Sequence, residues 1–225
     1  MVITTTDQSL LRLLQLSSVS LPVGGYAFSQ GLEYAIEKGW LSKQADVADW
    51  TQVQLLQSFA QVDLPILRLA MAACYEQDEA KLVALNDLVL ACRETKELRL
   101  NDTAMGEALA RLMRSLDMAT PFQRIEEVSF VILFAVAACH WQIEFETAAL
   151  GFTWSWLENQ IAAATKLVPL GQTQAQQLLG ELQPVISEAI QIAKNLEEDD
   201  IGAGLPALAI ASSLHETQYT RLFRS

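Results

Sequence analysis

Met105-Gly106-Glu107-Ala108-Leu109-Ala110-Arg111-Leu112-Met113-Arg114-Ser115-Leu116 is the stretch that decides the fold class. Met105, Leu109, Leu112 and Leu116 fall at i, i+4, i+7 and i+11, which lines them up as one apolar stripe on a helix of 3.6 residues per turn. The pattern recurs in both directions along the chain. Leu10, Leu13 and Leu14 open with i, i+3, i+4 spacing. Leu82, Leu85, Val89 and Cys92 form a second stripe, and Trp154, Leu157, Ile161 and Ala164 a third. No run alternates apolar and polar residues between hairpin turns. Alanine, leucine, glutamine and glutamate dominate, and all favour helix. The expected fold is all-α.

The breakers predict about ten helices. Leu21-Pro22-Val23-Gly24-Gly25 ends the first, and Gly39 ends Gly31–Lys38, with Lys38 suited to a helix C-terminus. Pro65 reads as a kink or as a first-turn proline, Asn101-Asp102 as a cap for Thr103–Leu116, and Thr120-Pro121 as the start of a further helix. Pro169-Leu170-Gly171 separates two long helices, and Glu197–Gly204 is an acidic loop. Phe130–Cys139 is an unbroken apolar run, too short for a membrane span and suited to a helix buried on all sides. No long linker or fixed-period repeat divides the chain, so residues 1–225 read as a single helical domain.

Composition narrows the function. The chain has 225 residues, 51% of them hydrophobic and 19% charged, enough for a sizeable core. Lys and Arg number 15 against 27 Asp and Glu, a formal charge of −12. That field disfavours nucleic acid and anionic membrane surfaces and favours cations and basic protein surfaces. Met1–Asp7 has no basic region ahead of an apolar stretch, so no signal peptide is expected. Cys74, Cys92 and Cys139 are odd in number and lack metal-knuckle spacing. They read as reduced thiols of a cytoplasmic protein.

Catalytic equipment is sparse. There are two histidines, His140 and His215, no nucleophile elbow, and no phosphate cradle, because Val23-Gly24-Gly25-Tyr26 is not followed by the lysine such a loop needs. Cys139, His140 and Glu144 are the best metal candidates, since a helix would put His140 and Glu144 on one face. They are too few for a closed site. The pairs at Glu126-Glu127 and Glu197–Asp200 read as solvated charge. No catalytic residue, metal site or cofactor is expected. The C-terminus differs from an ordinary frayed end. Tyr219, Arg221, Leu222, Phe223 and Arg224 crowd its last seven residues, and aromatics and arginine anchor interfaces. This tail either packs on its own domain or docks a partner.

Four stretches, in order along nearly the whole chain, resemble the urease accessory protein UreF family. They are Leu21–Glu33 (LPVGGYAFSQGLE), Cys92–Arg99 (CRETKELR), Trp156–Ile161 (WLENQI) continuing through Lys166–Gln172 (KLVPLGQ), and His215–Ser225 (HETQYTRLFRS). Ala27 stands where the family commonly has serine. The resemblance implies an all-helical homodimer, cytoplasmic and not an enzyme. It binds the accessory protein UreD (UreH in some species) and recruits and gates the GTPase UreG while nickel is inserted into apo-urease. A nickel-binding metallochaperone using His140, His215 and the acidic loop is the alternative.

The residues then read as follows. Tyr26, Ser29, Gln30 and Glu33, where a glycine turn enters a helix, serve capping or partner contact. Glu158 lies on the polar side of the helix that ends near Lys166, and Lys166 meets either the helix dipole or the GTPase. Arg93, Glu94, Glu97 and Arg99 form either a surface ion-pair ladder or a polar seam between subunits. His215, Gln218, Tyr219, Arg221, Leu222, Phe223 and Arg224 form the partner-binding tail, with Lys166 expected to act apart from it.

Overall fold

The computed structural model describes residues 6–122 and 127–224. Every regular element among the described residues is helical: α1 Asp7–Leu16, α2 Leu32–Glu37, α3 Gln44–Gln54, α4 Leu64–Glu76, α5 Glu79–Ala91, α6 Lys96–Ser115, α7 Phe130–His140, α8 Phe145–Leu167, α9 Gln172–Asn195 and α10 Pro206–His215. The all-α expectation holds.

The apolar run forms α7, and its side chains from Phe130 to Ala135 are all buried. A helix apolar all round must be wrapped, and α4 and α6 pack closest around it. Phe59, Phe130, Phe134, Phe152 and Trp156 interlock beside it, with neighbouring ring centroids 4.5–5.9 Å apart. The close approach of α6 depends on Gly106, since a Cβ there would collide with the backbone carbonyl of Val128.

Several boundaries differ from the sequence reading. α1 ends at Leu16, before the Leu21–Gly25 breaker, while Pro169-Leu170-Gly171 does separate α8 from α9. α3 runs into α4 through a π-helical stretch, Leu55–Asp63, and Pro65 sits in the first turn of α4 rather than at a kink. Thr120, Pro121 and Phe122 are not helical. The rest of the helix expected there, and Glu126 of its acidic pair, lie outside the described residues. Asn101 and Asp102 lie inside α6, whose cap is Thr95: its hydroxyl accepts from the Leu98 N–H at 3.1 Å.

Asp102 caps a different helix. Its carboxylate accepts from the Phe130 N–H at 2.7 Å and from the Ser129 hydroxyl at 2.8 Å, placing negative charge at the N-terminus of α7. Arg93 holds that carboxylate in place, with Nε donating to Asp102 at 2.8 Å and Nη2 and Nη1 donating to Asp63 at 2.6 and 3.3 Å. Arg93 is therefore the centre of a buried ion triad, not part of a surface ladder. Glu94 accepts from the Leu205 N–H and Arg99 donates to the Leu90 carbonyl, so no ladder forms. Burial works against the Arg93 charge, but Asp102 and Asp63 outweigh it and hold the guanidinium above its usual value.

Removing one member of a buried ion group strands the others. Arg93→Ala should lower the unfolding free energy by about 3–5 kcal/mol in urea titrations. A loss below about 1 kcal/mol, the range of exposed pairs, would show that the triad is solvated.

Candidate functional site

The candidate site is where the C-terminal tail folds back on α2, α6 and α8. The turn before α2 sets it up. Gly31 takes a left-handed conformation, φ 81°, and a Cβ there would press on Ala211 and Ser212 of α10 at 3.2 Å. Glycine therefore serves both the turn and the helix contact. Ser29 is buried and its hydroxyl accepts from the Glu33 N–H at 3.4 Å. Gln30 accepts from the Trp156 indole N–H at 2.7 Å, which fixes the turn to α8. Thr95 and Ser212 hydroxyls, 2.7 Å apart, join the start of α6 to α10.

These contacts seat His215 in full burial, at 0% exposure, between two buried carboxylates. Its Nδ1 lies 2.9 Å from Glu97 Oε2, and its Nε2 lies 3.1 Å from Glu33 Oε2. Both ring nitrogens facing carboxylate oxygens requires a proton on each nitrogen, or one on a carboxylate. Burial pushes the Glu97 carboxyl above its usual range, against the opposing pull of His215 and Arg221.

The same carboxylates hold the tail. Glu33 accepts from the backbone N–H groups of Leu222 at 2.6 Å and Phe223 at 2.9 Å. Arg221 Nη1 donates to Glu97 at 3.1 Å, and the Arg224 N–H donates to the Ala27 carbonyl at 2.8 Å. Gln218 donates to the Thr220 carbonyl at 2.9 Å and tightens the turn that leads into the tail. Phe223 is buried, and the Lys166 ammonium sits 5.4 Å from its ring centroid.

Of the two readings left open for the tail, packing on its own domain is the one seen, and it is partial. Glu33, Ser29, His215 and Phe223 are buried and engaged within the chain. Tyr219 is 103% exposed, Tyr26 63% and Leu222 62%, and the Arg221 and Arg224 side chains reach solvent. Lys166 is brought against the tail, contrary to the separation inferred from sequence distance. Glu158 is half-buried on α8, and burial pushes its carboxyl up. Glu97, which completes the clamp, was read only as ladder or seam.

The expected His140–Glu144 face does not form. Gln142 takes φ 53°, α7 stops at His140, and Glu144 is the residue before α8. His215 has both nitrogens engaged, and among the described residues no cluster of three or more His, Cys, Asp or Glu is arranged to hold a metal. No described helix is long and apolar enough to cross a membrane.

The described residues form an all-helical scaffold whose C-terminal tail is clamped by buried carboxylates. Comparison with known proteins is more specific. The family described as UreF matches residues 41–183. A urease accessory protein UreF of Marinomonas sp. (strain MWYL1) is 69% identical over 223 residues, covering 99% of this chain and 97% of that protein. Those of Alkalilimnicola ehrlichii and Hahella chejuensis are 49% and 45% identical, covering 95% and 96% of this chain and 95% and 98% of their own lengths. The chain belongs to the UreF family of urease accessory proteins.

Two outcomes follow from the clamp. Glu33→Ala removes the acceptor for two tail amides and should expose the bond after Arg221 to trypsin while the helical circular dichroism persists. An uncut tail would mean that Phe223 alone holds it. The second concerns pH. Because the folded chain raises the Glu97 pKa, it binds that proton more tightly than the open chain does. Its contribution is complete below the open-chain value of about 4.3 and fades as pH rises through the folded value. Glu97→Gln should flatten this part of the curve of urea midpoint against pH, and an unchanged slope would place the titration elsewhere.

Proposed function

We propose that this protein is a non-enzymatic, single-domain cytoplasmic adaptor of urease maturation. In this reading it binds a UreD-type accessory protein (UreH in some species) through its C-terminal tail. The complex then recruits and gates the GTPase UreG during nickel insertion into apo-urease. The family membership supports the setting. The observation that carries the tail assignment is its split character: Glu33 and Phe223 fix the backbone, while Tyr219 and Leu222 project unburied beside Arg221 and Arg224. Aromatic, leucine and arginine side chains on a pre-ordered backbone bind with little further loss of conformational entropy.

Ala207, Ile210 and Leu214 extend this surface along the outer side of α10, at i, i+3 and i+7. Tyr26 belongs to the same partner surface in this proposal. Ser29, Gln30, Glu33, His215 and Gln218 serve it indirectly, by holding the tail. Lys166 and Glu158 on α8 are proposed contacts toward UreG, with Lys166 coupled to the tail through Phe223.

The homodimer is proposed through α1. Leu13 and Leu16 of that helix are buried, the helix packing on α8 where Gly151 leaves room for Leu13 and Ser17, while Leu10, Leu11 and Leu14 face outward. A surface helix with three exposed leucines fits a subunit interface.

The central test is Tyr219→Asp with Leu222→Asp in a pull-down with UreD and then UreG. Neither side chain supports the fold, so circular dichroism should be unchanged. Losing two anchors should cut UreD capture by about a hundredfold or more. Capture at wild-type strength, with urease activation retained in cells, would end the reading. Leu11→Glu with Leu14→Glu should convert a dimer to a monomer in light scattering at micromolar concentration, and a wild-type monomer would refute the dimer. Stoichiometric, tight nickel binding in equilibrium dialysis would favour the metallochaperone instead.

A further inference from the structure

α4 and α7 are closely packed neighbours in the core, and their C-terminal turns reach the surface together. Each carries a free, half-buried cysteine there: Cys74 in the last turn of α4 and Cys139 in the last turn of α7. The Cys139 thiol donates to the Met71 carbonyl at 3.5 Å. Met71 lies one turn before Cys74. A side chain at i+3 on a helix leans over the carbonyl of residue i, as back-bonding serines and threonines do. The carbonyl that Cys139 meets is therefore the one that the Cys74 side chain overhangs, which makes the two thiols neighbours that act on each other's ionisation. Exposed Tyr75 and His140 flank the pair, so a small solute reaches it from water.

The two sulfurs are not equivalent. The neighbouring Cys139 thiol lowers the Cys74 thiol pKa, against the opposing effect of burial. The Cys139 thiol is raised, first by Cys74 and then by burial. This division of labour resembles an attacking and a resolving cysteine. Cys92 is the internal contrast. It is half-buried without a thiol neighbour, and burial raises it.

We propose that Cys74 and Cys139 form a peroxide-reactive dithiol that closes reversibly into a disulfide joining α4 to α7. The Cys74 thiolate attacks one oxygen of a peroxide. The O–O bond breaks, Cys74 becomes a sulfenic acid, and hydroxide or alkoxide leaves with the electron pair. The Cys139 thiol then condenses with the sulfenic acid, forming the S–S bond and releasing water. Two thiols lose two electrons, and the peroxide gains them. A dithiol reductant reverses the change.

The test uses the reduced full-length protein treated with hydrogen peroxide, then alkylated and mapped by mass spectrometry. The expected product is monomeric in covalent terms and lighter by two hydrogens. It has Cys74 linked to Cys139, Cys92 alkylated, a raised thermal midpoint, and two thiols recovered after dithiothreitol. Cys139→Ser should leave Cys74 trapped as a sulfenic acid that dimedone labels. Cys74→Ser should leave Cys139 as a thiol at the same peroxide dose. Oxidation of Cys92 as fast as Cys74, links only between chains, or failure of dimedone to label the Cys139→Ser variant would each overturn the proposal.

Discussion

Two carboxylates and an imidazole share a volume closed to water, and the placement of α10 and the C-terminal tail follows from satisfying them. Glu33, Glu97 and His215 come from α2, α6 and α10, so their burial is possible only when all three helices are in place. A buried carboxylate has about four acceptor sites to fill. Glu33 fills its remaining capacity with the amides of Leu222 and Phe223, and Glu97 with Arg221. The tail is thus ordered by unsatisfied acceptors in the core, a stronger constraint than apolar contact, because an unpaired buried charge costs several kcal/mol.

The second buried ion group extends the same logic to the centre of the fold. Arg93 bridges Asp63 from the π-helical stretch and Asp102 from α6, and Asp102 in turn caps α7. α7 is apolar all round and cannot cap itself with a charged residue. Its first turn borrows one from α6. Helix α6 therefore carries both groups, Asp102 facing α7 and Glu97 facing α10, one turn and a half apart on the same rod. A shift of α6 along its axis would disturb the core helix and the tail together. A cavity of about 100 Å³ beside α6 is bordered by Arg93, Asp102 and Trp156.

The helices were legible because burial repeats at helical spacing: Leu82, Leu85 and Val89 are all buried, as are Leu157, Ile161 and Ala164. Capping was less legible. Asp102 reads as a local N-cap, since Asx residues favour that position, yet its carboxylate serves a helix that begins 28 residues later. Leu10 and Leu14 fit a core stripe by spacing and face outward, because periodicity reports a shared face and not what covers it. In the site, Glu33, His215 and Phe223 stood out individually through residue type and the family resemblance. Their joint role was invisible, because the pairing spans 182 residues and nothing local encodes it. One signal was available and missed: Asp63 is a single charge inside Phe59–Leu67, an otherwise largely apolar stretch, and a charge so placed demands a buried partner.

The tail also resolves an apparent conflict between order and exposure. A segment that must stay free for a partner usually remains disordered and loses ordering entropy on binding. Here backbone and side chain are treated separately. The amides of Leu222, Phe223 and Arg224 are bonded inward, Phe223 is buried under Lys166, and the alternating side chains of Leu222 and Arg224 are left outside. The chain bends at Leu222 and Phe223, so both amides reach the Glu33 carboxylate while the Phe223 ring lies buried and the Leu222 side chain faces solvent. The exposure of Leu222 thus accompanies the bend that seats Phe223. The same anchor that satisfies Glu33 sets the direction in which the tail offers its apolar surface.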